Sequence, residues 1–167
     1  MKREESLIPL PDCEGKRFAL VAARFYPELS EWLVGSAHRA LRDCRVRDSD
    51  VELFDVPGCF EIPLCCRNLI EMNRFDALVA LGIVIQGETP HFAYVAGECA
   101  RGIMEVQLAS GVPIGFGILT TLTREQAEER ADPRRGDKGY HAALAAAVLA
   151  GIGTRGAHTT GLTRGAL

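Results

Sequence analysis

The chain has 167 residues, of which 47% are hydrophobic and 25% are charged, and its formal net charge is -3. This length suits one domain with a sizeable core, and the slightly acidic balance gives no electrostatic reason to expect nucleic acid or a membrane surface as a partner. No apolar stretch reaches the roughly 18 residues that a transmembrane helix needs, and the N-terminal segment lacks the apolar region of a secretory signal. We therefore expect a cytoplasmic protein.

Four short apolar runs alternate with segments of helical periodicity. Runs that are almost continuously apolar are typical of strands buried on both faces of a parallel sheet. They cover residues 17–23, 51–56, 77–85 and 112–119. Because strands that alternate with helices form right-handed crossovers, the pattern predicts an α/β fold. We expect a three-layer α/β/α domain with a four-stranded parallel sheet, of the flavodoxin-like type.

The helices are predicted from apolar residues that recur at helical spacing. The apolar faces of the three helices between the strands contain Trp32, Leu33, Ala37, Ala40 and Leu41; Ile62, Leu69 and Ile70; and Phe92, Val95, Cys99, Ile103 and Val106. Two further helices follow the last strand, at 123–131 and 137–151. Thr123 and Gln126 have the spacing of a capping box, and Pro133 should end the first of these two helices.

The whole chain, 1–167, is interpreted as a single domain with its core at about 17–151. Residues 1–14 and 152–167 are expected to be loose ends, because they carry no apolar period. The six cysteines form no C-x-x-C pair, which argues against a zinc site and a disulfide framework. We expect reduced thiols with mostly structural roles.

Ligands of open α/β sheets bind beyond the carboxyl ends of the strands. Four segments lie there: 24–27, 57–61, 86–91 and the residues after Leu119. In the third segment, Gly87 permits close approach of the backbone to a ligand. Thr89 is predicted to be the N-cap of the next helix, with Pro90 at its first helical position. A helix N-terminus suits a phosphate, and His91 beside it could transfer protons near neutral pH.

Each of these candidates also has a purely structural interpretation. A histidine near a helix start is more often a satisfied surface residue than a catalyst. Phe25 and Phe60 would by default be core or shielding aromatics, and Glu61 a solvated carboxylate or helix cap. Arg130 and Lys138 would be exposed helix charges. No role is assigned to the other histidines, His38, His141 and His158. The residues alone predict an α/β domain that binds a phosphorylated small molecule.

Longer motifs from about residue 17 to 151 resemble the lumazine synthase family. Residues 56–63, VPGCFEIP, are similar to V-P-G-[AS]-[FW]-E-[IL]-P, and residues 81–94, LGIVIQGETPHFAY, to L-G-x-V-I-R-G-x-T-x-H-[FY]-x-[YV]. Residues 111–121, GVPIGFGILTT, are similar to G-V-P-V-x-F-G-[IV]-L-T-T. Residues 125–131 and 136–139 resemble E-Q-A-x-x-R-A and G-N-K-G, and residues 23–26 resemble A-R-F-N.

The resemblance implies an enzyme of riboflavin biosynthesis that condenses 5-amino-6-(ribitylamino)uracil with a phosphorylated ketone, 3,4-dihydroxy-2-butanone 4-phosphate. It implies no metal or redox cofactor. It also implies a homo-oligomer, a pentamer or a multiple of pentamers, with active sites between neighbouring subunits.

The family's site residues are carried over by position. The resemblance implies that Phe25 stacks on the pyrimidine ring and that His91 transfers protons. The segment for the ribityl chain is Cys59, Phe60 and Glu61, and the strand end that reads the uracil edge is Ile83, Val84 and Ile85. The residues implied for the phosphate are Glu88, Thr89 and Arg130, with Lys138 a basic residue close by. Phe116 is implied to come from a neighbouring subunit.

Several positions depart from the family motifs. Gln86 stands in place of an arginine and so removes one cation near the phosphate, and Cys59 replaces a small Ala or Ser. Tyr26 stands where Asn is common, and residues 133–135 replace a smaller linker that contains lysine. Two alternatives stay open on the sequence: a non-catalytic flavin- or lumazine-binding shell protein, and a related riboflavin synthase. A generic flavin-mononucleotide binder would leave the motifs outside the phosphate loop unexplained.

Overall fold

A computed structural model describes residues 8–155 of the chain, with side chains up to residue 152. Along the chain the strands are β1 (Phe18–Ala23), β2 (Val51–Val56), β3 (Ala77–Ile85) and β4 (Ile114–Thr121). The α-helices are α1 (Pro27–Asp43), α2 (Ile62–Glu71), α3 (His91–Ser110), α4 (Arg124–Ala131) and α5 (Lys138–Arg155). Two short 3₁₀ helices, Asp48–Asp50 and Cys59–Glu61, flank β2.

The four strands form one parallel sheet in the order β2-β1-β3-β4. Successive side chains of a strand point to opposite faces, so Phe18 and Leu20 of β1 pack with α1, α4 and α5, whereas Ala19 and Val21 pack with α2 and α3. The predicted three-layer, flavodoxin-like α/β/α fold is confirmed.

The strands differ in burial according to their place in the sheet. β1 lies inside the sheet and is buried along its whole length, as expected. β2 is an edge strand and only half-buried, and Leu53 is 40% exposed. The expectation of burial on both faces is therefore wrong for β2, because the helices pack mainly on the other three strands; the second edge strand, β4, is largely buried under α5.

Local signals set several boundaries. β4 begins at Ile114, two residues later than predicted, directly after Pro113, which has no N–H to donate to a neighbouring strand. The Thr123 hydroxyl accepts a hydrogen bond from the Gln126 N–H at 3.3 Å and caps α4, as predicted. The Gln126 side chain reaches one residue further back than a capping box requires, since its Oε1 accepts from the Leu122 N–H at 3.0 Å.

The expected loose ends are described only in part. Cys13 is fully buried, and its N–H donates to the Cys44 carbonyl at 2.9 Å. At the other end α5 continues to Arg155, four residues beyond its predicted end. The expectations for residues 1–7 and 156–167, including His158, lie outside the described residues. No helix within 8–155 combines the length and the apolar character that crossing a membrane requires.

Candidate functional site

All of the predicted site residues except Glu88 line one of two separate cavities. The first, of about 550 Å³, lies beyond the carboxyl ends of β1 and β3 and is called the strand-end cavity. The second, of about 400 Å³, lies along the open edge of β4 against α5 and is called the edge cavity. The two cavities share no lining residue.

The strand-end cavity gathers most of the predicted residues. Its lining includes Phe25, Cys59, Phe60, Glu61, Ile83, Val84, Ile85, Thr89 and His91. Phe25 is 71% exposed and Phe60 57% exposed, so neither is a core aromatic. Two flat apolar faces at the mouth of a cavity suit a planar ligand.

The first loop is held in place by ion pairs. Arg24 Nε donates to Asp55 Oδ1 at 2.6 Å, and Arg24 Nη1 donates to Glu31 Oε1 at 2.6 Å. The Arg24 N–H also donates to the Val56 carbonyl at 2.9 Å. These contacts tie the end of β1 to the end of β2, so that Phe25 is presented at the cavity mouth. The ring of Tyr26 packs edge-on against Phe25, with centroids 5.1 Å apart.

The floor of the strand-end cavity contains a buried thiol. Cys59 Sγ lies 3.7 Å from the carbonyl oxygen of Ile83, to which it donates. Burial raises the pKa of this thiol to about 12, so the thiol stays protonated and unreactive near neutral pH. A methyl group on Gly82 would lie 2.5 Å from Cys59 Sγ, so the strand can pass Cys59 only where it carries no side chain.

The third loop differs in detail from its prediction. α3 begins at His91, and its N-cap is Pro90 rather than Thr89, so the prediction that Thr89 caps the helix is wrong. Pro90 has helical dihedral angles, which its ring favours, and its carbonyl accepts from the Ala93 N–H at 3.0 Å. Since Pro90 has no side-chain oxygen, the N–H groups of His91 and Phe92 at the start of α3 have no side-chain cap. Thr89 lines the cavity, whereas Glu88 is exposed and outside the lining.

The edge cavity holds the remaining predicted residues, Phe116, Arg130 and Lys138, together with His141 and the Thr120 hydroxyl. Phe116 is 49% exposed on the outer strand of the sheet. Gly115 of β4 allows α5 to pack directly on the strand, since a side chain there would collide with the Ala142 carbonyl, whereas a side chain on Gly117 would collide with Leu81 and the Ala80 carbonyl of β3. The aromatic and the basic side chains thereby come to one open edge of the sheet.

The turn between α4 and α5 brings Arg130 and Lys138 together. The Gly136 N–H donates to the Glu129 carbonyl at 2.9 Å, and a side chain on Gly136 would collide with the backbone of Arg130. Arg130 itself donates from Nη1 to the Gln126 carbonyl at 3.2 Å. Lys138 then opens α5 one residue after Asp137, whose φ is 52°.

Sequence reasoning missed His141, Tyr26, Tyr94 and Thr120 as lining residues. His141 is three residues after Lys138 on a helix, so it shares the face of Lys138, and this spacing was the available signal. Among residues 8–155 no group of three or more His, Cys, Asp and Glu side chains is placed to hold a metal ion.

Comparison with known proteins adds a family to this geometry. Residues 15–152 match the family model described as 6,7-dimethyl-8-ribityllumazine synthase. The chain is also 45% identical over 139 residues to a 6,7-dimethyl-8-ribityllumazine synthase of Desulfatibacillum aliphaticivorans. That alignment covers 83% of this chain and 90% of the relative.

Proposed function

This chain belongs to the 6,7-dimethyl-8-ribityllumazine synthase family, and we propose that the strand-end cavity of one copy and the edge cavity of a second copy together form its active site. The enzyme is a transferase of riboflavin biosynthesis. It condenses 5-amino-6-(ribitylamino)uracil with 3,4-dihydroxy-2-butanone 4-phosphate and releases phosphate and water.

The observation that carries the proposal is the division of the site residues between two cavities of one chain. The strand-end cavity has the aromatic mouth, the strand end and His91, but neither Arg130 nor Lys138 lines it. The edge cavity has both cations and an exposed aromatic, but no residue of the β3 end. Because each half lacks what the other supplies, the edge of one copy placed over the strand ends of another completes the set.

In the strand-end half, the pyrimidine ring stacks on Phe25. Its polar edge then meets the backbone groups of Ile83, Val84 and Ile85, which lie at the floor. The ribityl chain extends toward the 3₁₀ helix Cys59–Glu61, where the Glu61 carboxylate accepts hydrogen bonds from hydroxyl groups. Phe116 of the second copy covers the ring from the other side.

The phosphate of the ketone lies at the start of α3. The N–H groups of His91 and Phe92 and the positive end of the helix dipole attract an anion, and the Thr89 hydroxyl is a further donor at the cavity wall. Glu88 contributes its backbone rather than its carboxylate, which would repel the phosphate. Arg130 and Lys138 of the second copy supply the balancing positive charge.

His91 is the proton-transfer residue. Attack of the 5-amino group on the ketone carbonyl forms a C–N bond, and the carbonyl oxygen leaves as water once it has been protonated. Loss of phosphate requires removal of a proton from carbon as the C–O bond to phosphate breaks. The imidazole at the first residue of α3 can give and take these protons. Holding the two substrates in line contributes up to roughly 7–11 kcal/mol.

The proposal is tested by co-expressing two strongly impaired variants, His91→Ala and Arg130→Ala, and following lumazine formation by absorbance. In mixed assemblies the strand-end half of the Arg130→Ala copy meets the edge half of the His91→Ala copy, so roughly a quarter of the sites are intact. We expect the mixture to be far more active than either variant alone. Failure to recover activity, with a mixed assembly verified by mass, would place both residues in one chain's site.

The finer features belong to the same proposal. The assembly is a pentamer or a multiple of pentamers, which is supported by the exposed apolar side chains of α3, among them Tyr94, Met104 and Leu108. Sedimentation measures the mass of the assembly, and a fully active monomer would refute the pentamer.

We also place the enzyme, as a single domain, in the cytoplasm, where its six thiols would stay reduced. Cell fractionation tests this location.

A further inference from the structure

His141 is a basic residue that lines the edge cavity but has no role in the proposed reaction. It lies on α5 three residues after Lys138 and is exposed. Residues three apart on a helix lie on one face, with their Cβ atoms about 5–6 Å apart. Both side chains line the edge cavity, and Arg130 of α4 lines it as well. Three basic side chains from two helices therefore meet in one cavity.

The edge cavity is lined by basic but not by acidic side chains. Of its ten lining residues, three are basic and none is acidic, and Thr120 contributes a hydroxyl group. A cavity with this composition attracts an anion. The substrate with an anionic group is the phosphorylated ketone, whose phosphate carries close to two negative charges near neutral pH.

The sequence itself suggests why a third basic residue is useful here. Gln86 stands where the family motif has an arginine near the phosphate, so one cation is missing from the strand-end half. An imidazole donates from one ring nitrogen when neutral and from both when protonated. It can therefore hydrogen-bond a phosphate oxygen in either state, and it adds positive charge when protonated.

We propose that His141 is a third anion-binding residue of the shared active site and that it donates a hydrogen bond to the phosphate of the ketone substrate. This inference rests on the proposed function, because it places the phosphate against the edge cavity of a neighbouring copy. Arg130 and Lys138 also bind the phosphate. His141 takes the place of the cation that is missing because residue 86 is glutamine instead of arginine.

The test compares His141→Ala and His141→Lys with the parent enzyme. For His141→Ala we expect the KM for the phosphorylated ketone to rise by roughly three- to tenfold, the range for one charge-assisted hydrogen bond at a partly solvated site. The KM for the pyrimidine substrate and kcat should stay within about twofold. His141→Lys, which keeps a cationic donor, should restore most of the affinity.

A second readout does not depend on turnover. Inorganic phosphate binding, measured by calorimetry, should weaken in His141→Ala by a factor similar to that for the ketone. The matched control is His38→Ala, because His38 is half-buried on α1 and lines neither cavity. An unchanged phosphate affinity, or a rise confined to the KM for the pyrimidine, would overturn the role of His141. If the parent enzyme shows no turnover, the proposed function is refuted instead. The phosphate affinities of the parent and of His141→Ala would then still show whether His141 binds an anion.

Discussion

Arg39 and Asp137 join α1 to the turn that precedes α5: Arg39 Nη2 donates to Asp137 Oδ2 at 2.6 Å. The Asp137 side chain is 1% exposed, whereas Arg39 is 43% exposed and lies over the ring of Tyr140, 5.2 Å from its centroid. The Tyr140 hydroxyl in turn donates to Asp43 Oδ2 at 2.8 Å. Asp137, which directly precedes Lys138, is thus held against α1.

We expect Arg39→Leu to destabilise the protein, because it leaves the buried Asp137 carboxylate without its guanidinium. Breaking a fully buried pair costs about 3–5 kcal/mol, and the partial exposure of Arg39 reduces this to about 1–3 kcal/mol. Urea denaturation measures the change. Asp137→Asn is the control, since asparagine tolerates the left-handed backbone at this position and can still accept a hydrogen bond; it should cost less than Arg39→Leu.

His91→Ala should lower kcat by about 10²–10⁴-fold and leave a measurable rate above the uncatalysed reaction. The residual rate is expected because positioning of the two substrates survives the loss of the imidazole. Steady-state kinetics with both substrates provide the measurement, and KM values should change much less than kcat. A rate equal to that of the parent enzyme would remove His91 from the chemistry.

Gly82→Ala should cost about 1–3 kcal/mol, the usual penalty for overpacking a core, because the new methyl group meets Cys59 Sγ at 2.5 Å. Cys59→Ala removes that sulfur and should make Gly82→Ala far better tolerated. A double-mutant cycle of thermal or urea stability measures this coupling. Additive effects of the two substitutions would contradict the predicted collision.

The buried thiols predict a loss of stability at alkaline pH. Burial raises the pKa of Cys59 and of Cys99 to about 12 and that of Cys44 to about 11, from an ordinary value of 9.0. The folded protein therefore holds these protons more tightly than the unfolded chain does. Their contribution is complete below pH 9.0 and declines as the pH rises toward the folded values.

Urea midpoints at about pH 8 and about pH 10.5 test this decline. Other groups also titrate in that range, so the control is Cys99→Ala, which should show a smaller loss between the two pH values than the parent protein. An equal loss in both proteins would show that the Cys99 thiol does not contribute.

The architecture was predictable because the evidence for it is local. Each strand is a short apolar run, and the capping hydroxyl of Thr123 indicates where α4 begins. The exposure of Leu53 was not predictable, since the position of β2 at the sheet edge depends on strand order, which no single run encodes. The start of α3 shifted by one residue, from Pro90 to His91, because Pro90 is the N-cap and only its carbonyl joins the first turn, accepting from the Ala93 N–H.

The site was predictable in part for the same reason. Phe25 and His91 follow strand ends, and the rule for open sheets brings such residues together. Nothing in the spacing of Phe116 and Arg130 shows that they line another cavity, because that depends on how α5 packs on the glycines of β4. His141 belongs to none of the motifs. Its spacing from Lys138 places both side chains on one helix face, but that this face lines a cavity depends on the packing of α5 against β4.

The location of the two cavities on one copy also limits how copies can associate. In the proposed shared site the strand ends of one molecule meet the β4 edge of the next, so such a contact is head-to-tail and the same surface never faces itself. In a closed ring every head finds a tail, and the number of working sites equals the number of subunits. In an open row of molecules the two terminal copies each keep an unmatched half. Specific activity should therefore follow the fraction of subunits in closed rings. It should fall when dilution dissociates the rings.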